Sequence, residues 1–183
     1  MKKILSACAV AAAFVAAPAF AQGYIGGGFG SSRVTGVDGG GVTGGNTNKS
    51  QVKVYGGFQF TPTWGVEAQF SDLGKRDILA FGVPAGSAKV SQFSIAGTGT
   101  LPLSSGFSLL GKLGVSANKV TGSAGIQNGS ATSALIGVGV SYNITPALSA
   151  RLEYEDFGTV AKYINPAFTA RANAYSISLK YAF

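Results

Sequence analysis

From Val52 to Phe183, apolar residues recur at every second position through one short stretch after another. The last stretch is the plainest: Tyr175, Ile177, Leu179, Tyr181 and Phe183 alternate with Ser176, Ser178, Lys180 and Ala182. A period of two sends successive side chains to opposite faces of a β-strand, so each stretch has one greasy face and one hydrophilic face. The pattern predicts eight strands, near residues 23 to 34, 51 to 60, 64 to 74, 89 to 101, 107 to 119, 132 to 144, 148 to 157 and 172 to 183. The greasy face collects Val54, Phe58, Val66, Phe70, Leu109, Leu113, Val138, Val140, Leu152 and Tyr154. The other collects Lys53, Gln59, Glu67, Gln69, Lys112, Ser141, Asn143, Arg151, Glu153 and Glu155.

Connections alternate in length. Residues 61–63, 102–106 and 145–147 form tight turns, whereas 36–50, 75–88, 120–131 and 158–171 are long connections. An up-and-down barrel in an outer membrane has this alternation, with short turns in the periplasm and long loops outside. An even strand count then puts both chain ends on the periplasmic side. Phe60, Trp64, Phe107, Tyr142, Tyr181 and Phe183 stand beside the turns or the C-terminus, where an interfacial aromatic girdle belongs.

Alternation does not say which face points inward, and composition decides it. A water-soluble eight-stranded barrel of the lipocalin kind lines its interior with the apolar set and covers its exterior with charge. Only 11% of this chain is charged, against about 25% in ordinary soluble domains. The hydrophilic face is mostly Gly, Ser, Ala and Thr, small enough for a narrow bore. Apolar-out is the reading that fits. No helix competes for the membrane, because the uncharged stretch from Val120 to Ala150 is interrupted by Gly, Ser, Thr, Asn and Pro146. Its densest part, Ala134 to Val140, falls far short of the roughly 20 residues a spanning helix needs. Backbone groups in hydrocarbon must then be satisfied by a closed barrel. The fold class is therefore all-β, an eight-stranded antiparallel up-and-down transmembrane barrel.

The N-terminus agrees with an exported protein. Met1-Lys2-Lys3, an apolar run from Ile4 to Phe14 and Ala19-Phe20-Ala21 read as a signal peptide over 1–21, cleaved after Ala21, ahead of a barrel domain over 22–183. Leu5-Ser6-Ala7-Cys8 also matches a lipoprotein box, the alternative reading, although only Ile4 separates it from the basic start. Cleavage removes the sole cysteine, Cys8, and lowers the formal charge from +7 to +5 (7 − 2 = 5, for Lys2 and Lys3). That charge is too dispersed for nucleic acid to be a partner.

Two hairpins echo one another: Phe60-Thr61-Pro62 through Glu67 to Phe70, and Ile144-Thr145-Pro146 through Arg151 to Tyr154. With Gly56-Gly57-Phe58-Gln59, Asp72-Leu73-Gly74 and Gly139-Val140-Ser141-Tyr142-Asn143, these residues make the chain resemble the membrane domain of OmpA-type outer-membrane proteins. The resemblance spans the mature chain but carries no periplasmic peptidoglycan-binding domain after Phe183. It therefore implies a stand-alone barrel of the porin-like group without cell-wall tethering.

Glu67 lies five residues beyond Pro62, and Arg151 lies five beyond Pro146. On the third and seventh of eight strands, they stand at similar heights on opposite walls of a bore only wide enough for side chains. An unpaired ion there is costly and a carboxylate–guanidinium pair is compensated. We expect Glu67 and Arg151 to pair, with Glu153 and Lys112 nearby. In OmpA-type barrels the matching Glu and Arg form a lumenal gate, which the resemblance implies here. The alternative is a structural network that does not conduct. Ser141 and Thr98 stand where the resemblance implies charged partners, which counts against a gate that exchanges partners.

Enzymatic readings lack their chemistry. The chain has no histidine, the general base of the lipid deacylases, palmitoyl transferases and proteases built on similar small barrels. No metal or cofactor is expected either, since neither mature Cys nor clustered carboxylates are present to ligate one. Gly26-Gly27-Gly28-Phe29-Gly30 lacks the strand-turn-helix setting of a nucleotide loop and marks close backbone approach instead. Asn128-Gly129-Ser130 fits a glycosylation acceptor that has no bearing in a bacterial envelope. Lys75, Arg76 and Phe81 form a basic and apolar loop suited to lipopolysaccharide phosphates or a host surface molecule; the alternative is a solvated strand end. Tyr175, Ile177, Leu179, Tyr181 and Phe183 resemble the C-terminal signal read by the outer-membrane insertion machinery. The expected function is an integral outer-membrane protein with a structural, envelope-integrity role and at most a narrow gated pore. Its partners are membrane lipids, lipopolysaccharide and the insertion machinery. The alternative is a surface adhesin or immune-evasion protein acting through its loops on host molecules. A true diffusion pore needs a wider lumen than eight strands provide.

Overall fold

The computed structural model describes residues 22–36, 42–43, 47–80, 83–122, 129–162 and 169–183. The expected signal peptide, its cleavage position after Ala21 and Phe81 lie outside these residues. The strands are β1 (Gln22–Gly36), β2 (Val42–Thr43), β3 (Thr47–Gln59), β4 (Trp64–Ala80), β5 (Val83–Pro102), β6 (Phe107–Gly122), β7 (Gly129–Asn143), β8 (Leu148–Lys162) and β9 (Thr169–Ala182). Eight of them are staves, each antiparallel to its neighbours; β2 is a two-residue strand beside the end of β4. Pairing of β1 with β9, from Tyr24↔Ala182 to Gly36↔Ala170, closes the cylinder. The Phe183 amide extends this seam by donating to the Gly23 carbonyl at 2.9 Å.

The short turns are stitched by their threonines. Thr61 Oγ1 accepts from the Trp64 amide, and Thr145 Oγ1 from the Leu148 amide, both at 2.9 Å. At the opposite end the staves run further than alternation alone predicts. Residues 75–88, expected to be a loop, belong to β4 as far as Ala80 and to β5 from Val83. Residues 36–50, 120–131 and 158–171 likewise lose their flanks to strands. Charged and apolar residues follow one another in blocks there rather than alternating, so the hydrophobic period vanishes while the backbone ladder continues. β4 has 17 residues and β5 has 20, against about 10 needed to cross the hydrocarbon.

The greasy face points outward. Phe29, Val52, Leu113, Ile136, Leu152 and Ile177 are all half-exposed or more, and Trp64 and Phe183 flank the short turns at 64% and 71% exposure. Glycines on the inner face of β1 let the walls approach: a Cβ at Gly28 would stand 2.2 Å from the Ile177 carbonyl oxygen. Such crowding excludes any side chain.

Two bulges mark the far ends of β4 and β8. Gly74 (φ 84°) and Gly158 (φ 63°) adopt the left-handed conformation that glycine takes without strain. Asp72 Oδ1 accepts from the Gly74 amide at 3.0 Å and Asp156 Oδ1 from the Gly158 amide at 2.7 Å. Between each Asp and Gly an apolar side chain is driven into the bore, Leu73 in one case and Phe157 in the other. The carbonyl of Leu73 accepts from Ser32 Oγ at 2.8 Å and that of Phe157 from Ser116 Oγ at 3.0 Å. Every member of this device recurs after the 84 positions that separate Glu67 from Arg151, so the cylinder is built from two similar four-stave halves.

The bore is not hydrophilic throughout. Leu73, Val90, Val120, Leu135 and Phe157 form a buried apolar plug towards the long connections, with Ala96, Ala172 and Ala174 between them. This corrects the expectation that small polar residues fill the interior. All five large members sit on the same strand parity as Glu67, Gln92, Lys112, Ser141 and Glu155, so alternation itself carries them inward.

Candidate functional site

Beneath the plug lies a cluster of three carboxylates, Glu67, Glu153 and Glu155, and three cations, Lys53, Lys112 and Arg151, all at most 5% exposed. Register and residue size put them there. Lys112 pairs across strands with Thr98 and Gly137, Glu155 with Gly137, Glu153 with Gly139 and Arg151 with Ser141. β7 thus presents small residues where its neighbours send long ones inward. A Cβ at Gly139 would come within 2.9 Å of the Glu153 Cγ, and one at Gly137 within 3.3 Å of the Lys112 Cβ.

Lys112 is the hub. Its Nζ lies 2.6 Å from Glu67 Oε1, 2.6 Å from Glu153 Oε1 and 3.1 Å from Glu155 Oε1. Arg151 Nη1 reaches Glu67 Oε2 at 2.8 Å, and the Tyr24 hydroxyl donates to that same oxygen at 3.1 Å. Lys53 pairs with Glu153 and, at 3.2 Å, with Glu155 Oε2. Gln69 Nε2 donates to Glu155 Oε2, also at 3.2 Å. Equal numbers of opposite charges, each in at least one ion pair, are what a low-dielectric bore tolerates. Towards the short turns, Tyr24 and Tyr55 form an aromatic floor, their ring centres 6.4 Å apart and edge to face. The Arg151 guanidinium stands 5.3 Å and 5.1 Å from those rings, within cation–π range.

Glu67, Arg151, Lys112 and Glu153 therefore meet in one site. Lys53, Glu155 and Gln69 complete it, though their place on the hydrophilic face had not marked them as members. Tyr24 and Tyr55 escaped notice because an aromatic residue in a barrel strand reads first as lipid-facing; their parity was the available signal. The remaining candidates lie elsewhere. Tyr175, Ile177, Leu179, Tyr181 and Phe183 face outward and are 50–71% exposed. Lys75 is exposed in β4; Arg76 pairs in register with Ala88, and its side chain lies outside the description. Among the described residues no group of His, Cys, Asp or Glu is placed to hold a metal ion. The cluster can hold the walls together and fill the bore, with its three carboxylates engaged by Lys53, Lys112 and Arg151.

Comparison with known proteins concerns the whole cylinder. The family profile described as "outer membrane protein beta-barrel domain" matches residues 5–183. Ail of Yersinia pestis, solved in complex with the heparin analogue sucrose octasulfate, superposes with a TM-score of 0.61 at 20% identity, covering 89% of this chain and 99% of that one. Neisserial surface protein A gives 0.64 at 15% identity, covering 88% and 97%. OprG of Pseudomonas aeruginosa gives 0.63 at 14% identity, covering 88% and 95%. At these identities the likeness is one of fold. No curated protein sequence matches the chain.

Proposed function

Since the chain belongs to the outer membrane protein β-barrel family, we propose that it is a closed structural barrel that reinforces the outer membrane and carries its long hairpins to the cell surface. The observation that supports this reading is the doubly filled bore: among the described residues an apolar plug is stacked on a charge-balanced cluster, and the side chains of both are buried. The elongated β4–β5 hairpin is the part of the scaffold held furthest beyond the membrane, and the outward apolar band contacts the lipid.

Liposomes containing the purified protein are expected not to swell in isosmotic small sugars, and planar bilayers to carry no current above the lipid baseline. Glu67→Ala should leave that baseline unchanged, because the plug above the cluster remains. Steady swelling would overturn the structural reading, and a raised current in Glu67→Ala would establish an ion-pair gate in its place. Unboiled and boiled samples in detergent gels serve as the folding control, since a closed barrel migrates differently once unfolded.

Assembly uses the outward face of β9. Tyr175, Ile177, Leu179, Tyr181 and Phe183 offer the insertion machinery an alternating strand, and Phe183 supplies the terminal hydrogen bond to Gly23. Deleting Phe183 should leave the protein accumulating in the periplasm, as read by fractionation. Normal delivery to the outer membrane would show that the signal lies elsewhere.

A further inference from the structure

Charge on the outer perimeter of the barrel is sorted to one end. Arg33, Lys75, Lys89, Lys119 and Arg171 are exposed, and all lie in the extracellular halves of their strands. In the periplasmic halves every charged side chain among the described residues points into the bore. Three of the exposed cations form a patch: Lys75 and Lys89 are directly opposed in the β4–β5 register, and Lys119 pairs with Ser91, on the diagonal from Lys89. Like charges placed opposite one another destabilise a sheet unless an anion lies across them.

The patch is built rather than incidental. Without the Gly74 bulge, alternation from Leu73 would send Lys75 into the bore; the extra residue turns it outward beside Lys89. Asp72 ties the parts together, one oxygen accepting from the Gly74 amide and the other 2.8 Å from Lys89 Nζ. Among the described side chains one carboxylate stands against three ammonium groups, which leaves the patch positive. The second bulge repeats the scheme on the far side, where Asp156 Oδ2 lies 3.5 Å from Arg171 and Arg33 sits on the diagonal.

What the patch adjoins identifies its partner. Going up the β4–β5 ladder, successive outward pairs are Phe70↔Phe93, Asp72↔Ser91 and Lys75↔Lys89. Two steps thus lead from a lipid-facing aromatic pair to a pair of cations, roughly 14 Å by strand geometry. A ligand matching that sequence has acyl chains below and phosphates above. We propose that Lys75, Lys89 and Lys119 dock the phosphates of a phosphorylated glycolipid of the outer leaflet, while its acyl chains lie against Phe70 and Phe93. A soluble polyanion would meet the cations but make no use of the phenylalanines. The proposal rests on the reading above that the long hairpins face the cell exterior.

Native mass spectrometry of the detergent-purified barrel tests it, with added bisphosphorylated lipid A, the same lipid without phosphates, or phosphatidylglycerol. Lipid A should be retained about tenfold better than either control, and K75S/K89S/K119S should lose about tenfold of that retention, with the attraction of each cation to an anionic lipid surface as the guide. K75R/K89R/K119R should keep it. If the triple serine variant fails the gel test of folding, Lys75→Ser and Lys119→Ser singly should each reduce retention about threefold by the same guide. Undiminished retention in the serine variants, equal binding of phosphatidylglycerol, or displacement by millimolar sucrose octasulfate or inorganic phosphate would each overturn the proposal. Orientation is read separately by labelling Lys119→Cys on intact cells with an impermeant maleimide. An unlabelled cysteine would sink the surface assignment and leave the lipid measurement standing as its own result.

Discussion

Replacing Lys112 with alanine is expected to destabilise the folded barrel by about 3–5 kcal/mol, the range for removing one partner from a buried ionic group. One ammonium at this position lies within 3.1 Å of three carboxylates. Its loss leaves Glu67, Glu153 and Glu155, all at most 2% exposed, with Lys53 and Arg151 as their ion-pair partners. Adding Glu153→Gln to the variant restores charge balance and should recover part of the loss, whereas Glu153→Gln alone should itself destabilise. The single tryptophan, Trp64 at the periplasmic rim, reports unfolding in denaturant from phospholipid vesicles. A loss below about 1 kcal/mol, the level of an exposed pair, would mean that the cluster is hydrated and the bore open to solvent.

Phe157→Ala is expected to cost a further class of energy, about 3–5 kcal/mol for an aromatic side chain removed from a packed core. Phe157 is 0% exposed and packs with Leu73, Leu135, Val90 and Val120. Its backbone is pinned from both sides: the carbonyl accepts from Ser116, and the next residue is the bulge glycine held by Asp156. Neighbouring strands cannot close on the vacated volume, because the hydrogen-bonded circumference fixes the diameter. Vesicles containing the variant should remain impermeable, since the ion cluster still fills the bore beneath. A Phe157→Ala barrel as stable as the parent would show that the plug is loosely packed and contributes little.

The strand count, the orientation of the two faces and the pairing of Glu67 with Arg151 were legible in the sequence for one reason. In the hydrocarbon zone each position answers to lipid or to the bore, and the period of two records the answer. Two parts were hidden by the limits of that record. The extensions of β4 to Ala80 and of β5 back to Val83 run from Lys75-Arg76-Asp77 into the unbroken apolar Ile78-Leu79-Ala80, so no period of two marks them as strand. Inside the bore, apolar residues such as Phe157 and Tyr55 carry the same chemical label as lipid-facing ones; only their even spacing from Glu153 or Lys53 along the strand distinguishes them. Reading parity through from the charged residues would have located both the plug and the aromatic floor.

The seam between β1 and β9 joins opposite ends of the described chain. No segment released earlier can stand in for β9, so the cylinder cannot close while the polypeptide is still being threaded across the inner membrane. During that interval the lipid-facing residues have neither bilayer nor partner strands to cover them, a state prone to clumping. That exposure ends only when the last stave pairs with the first.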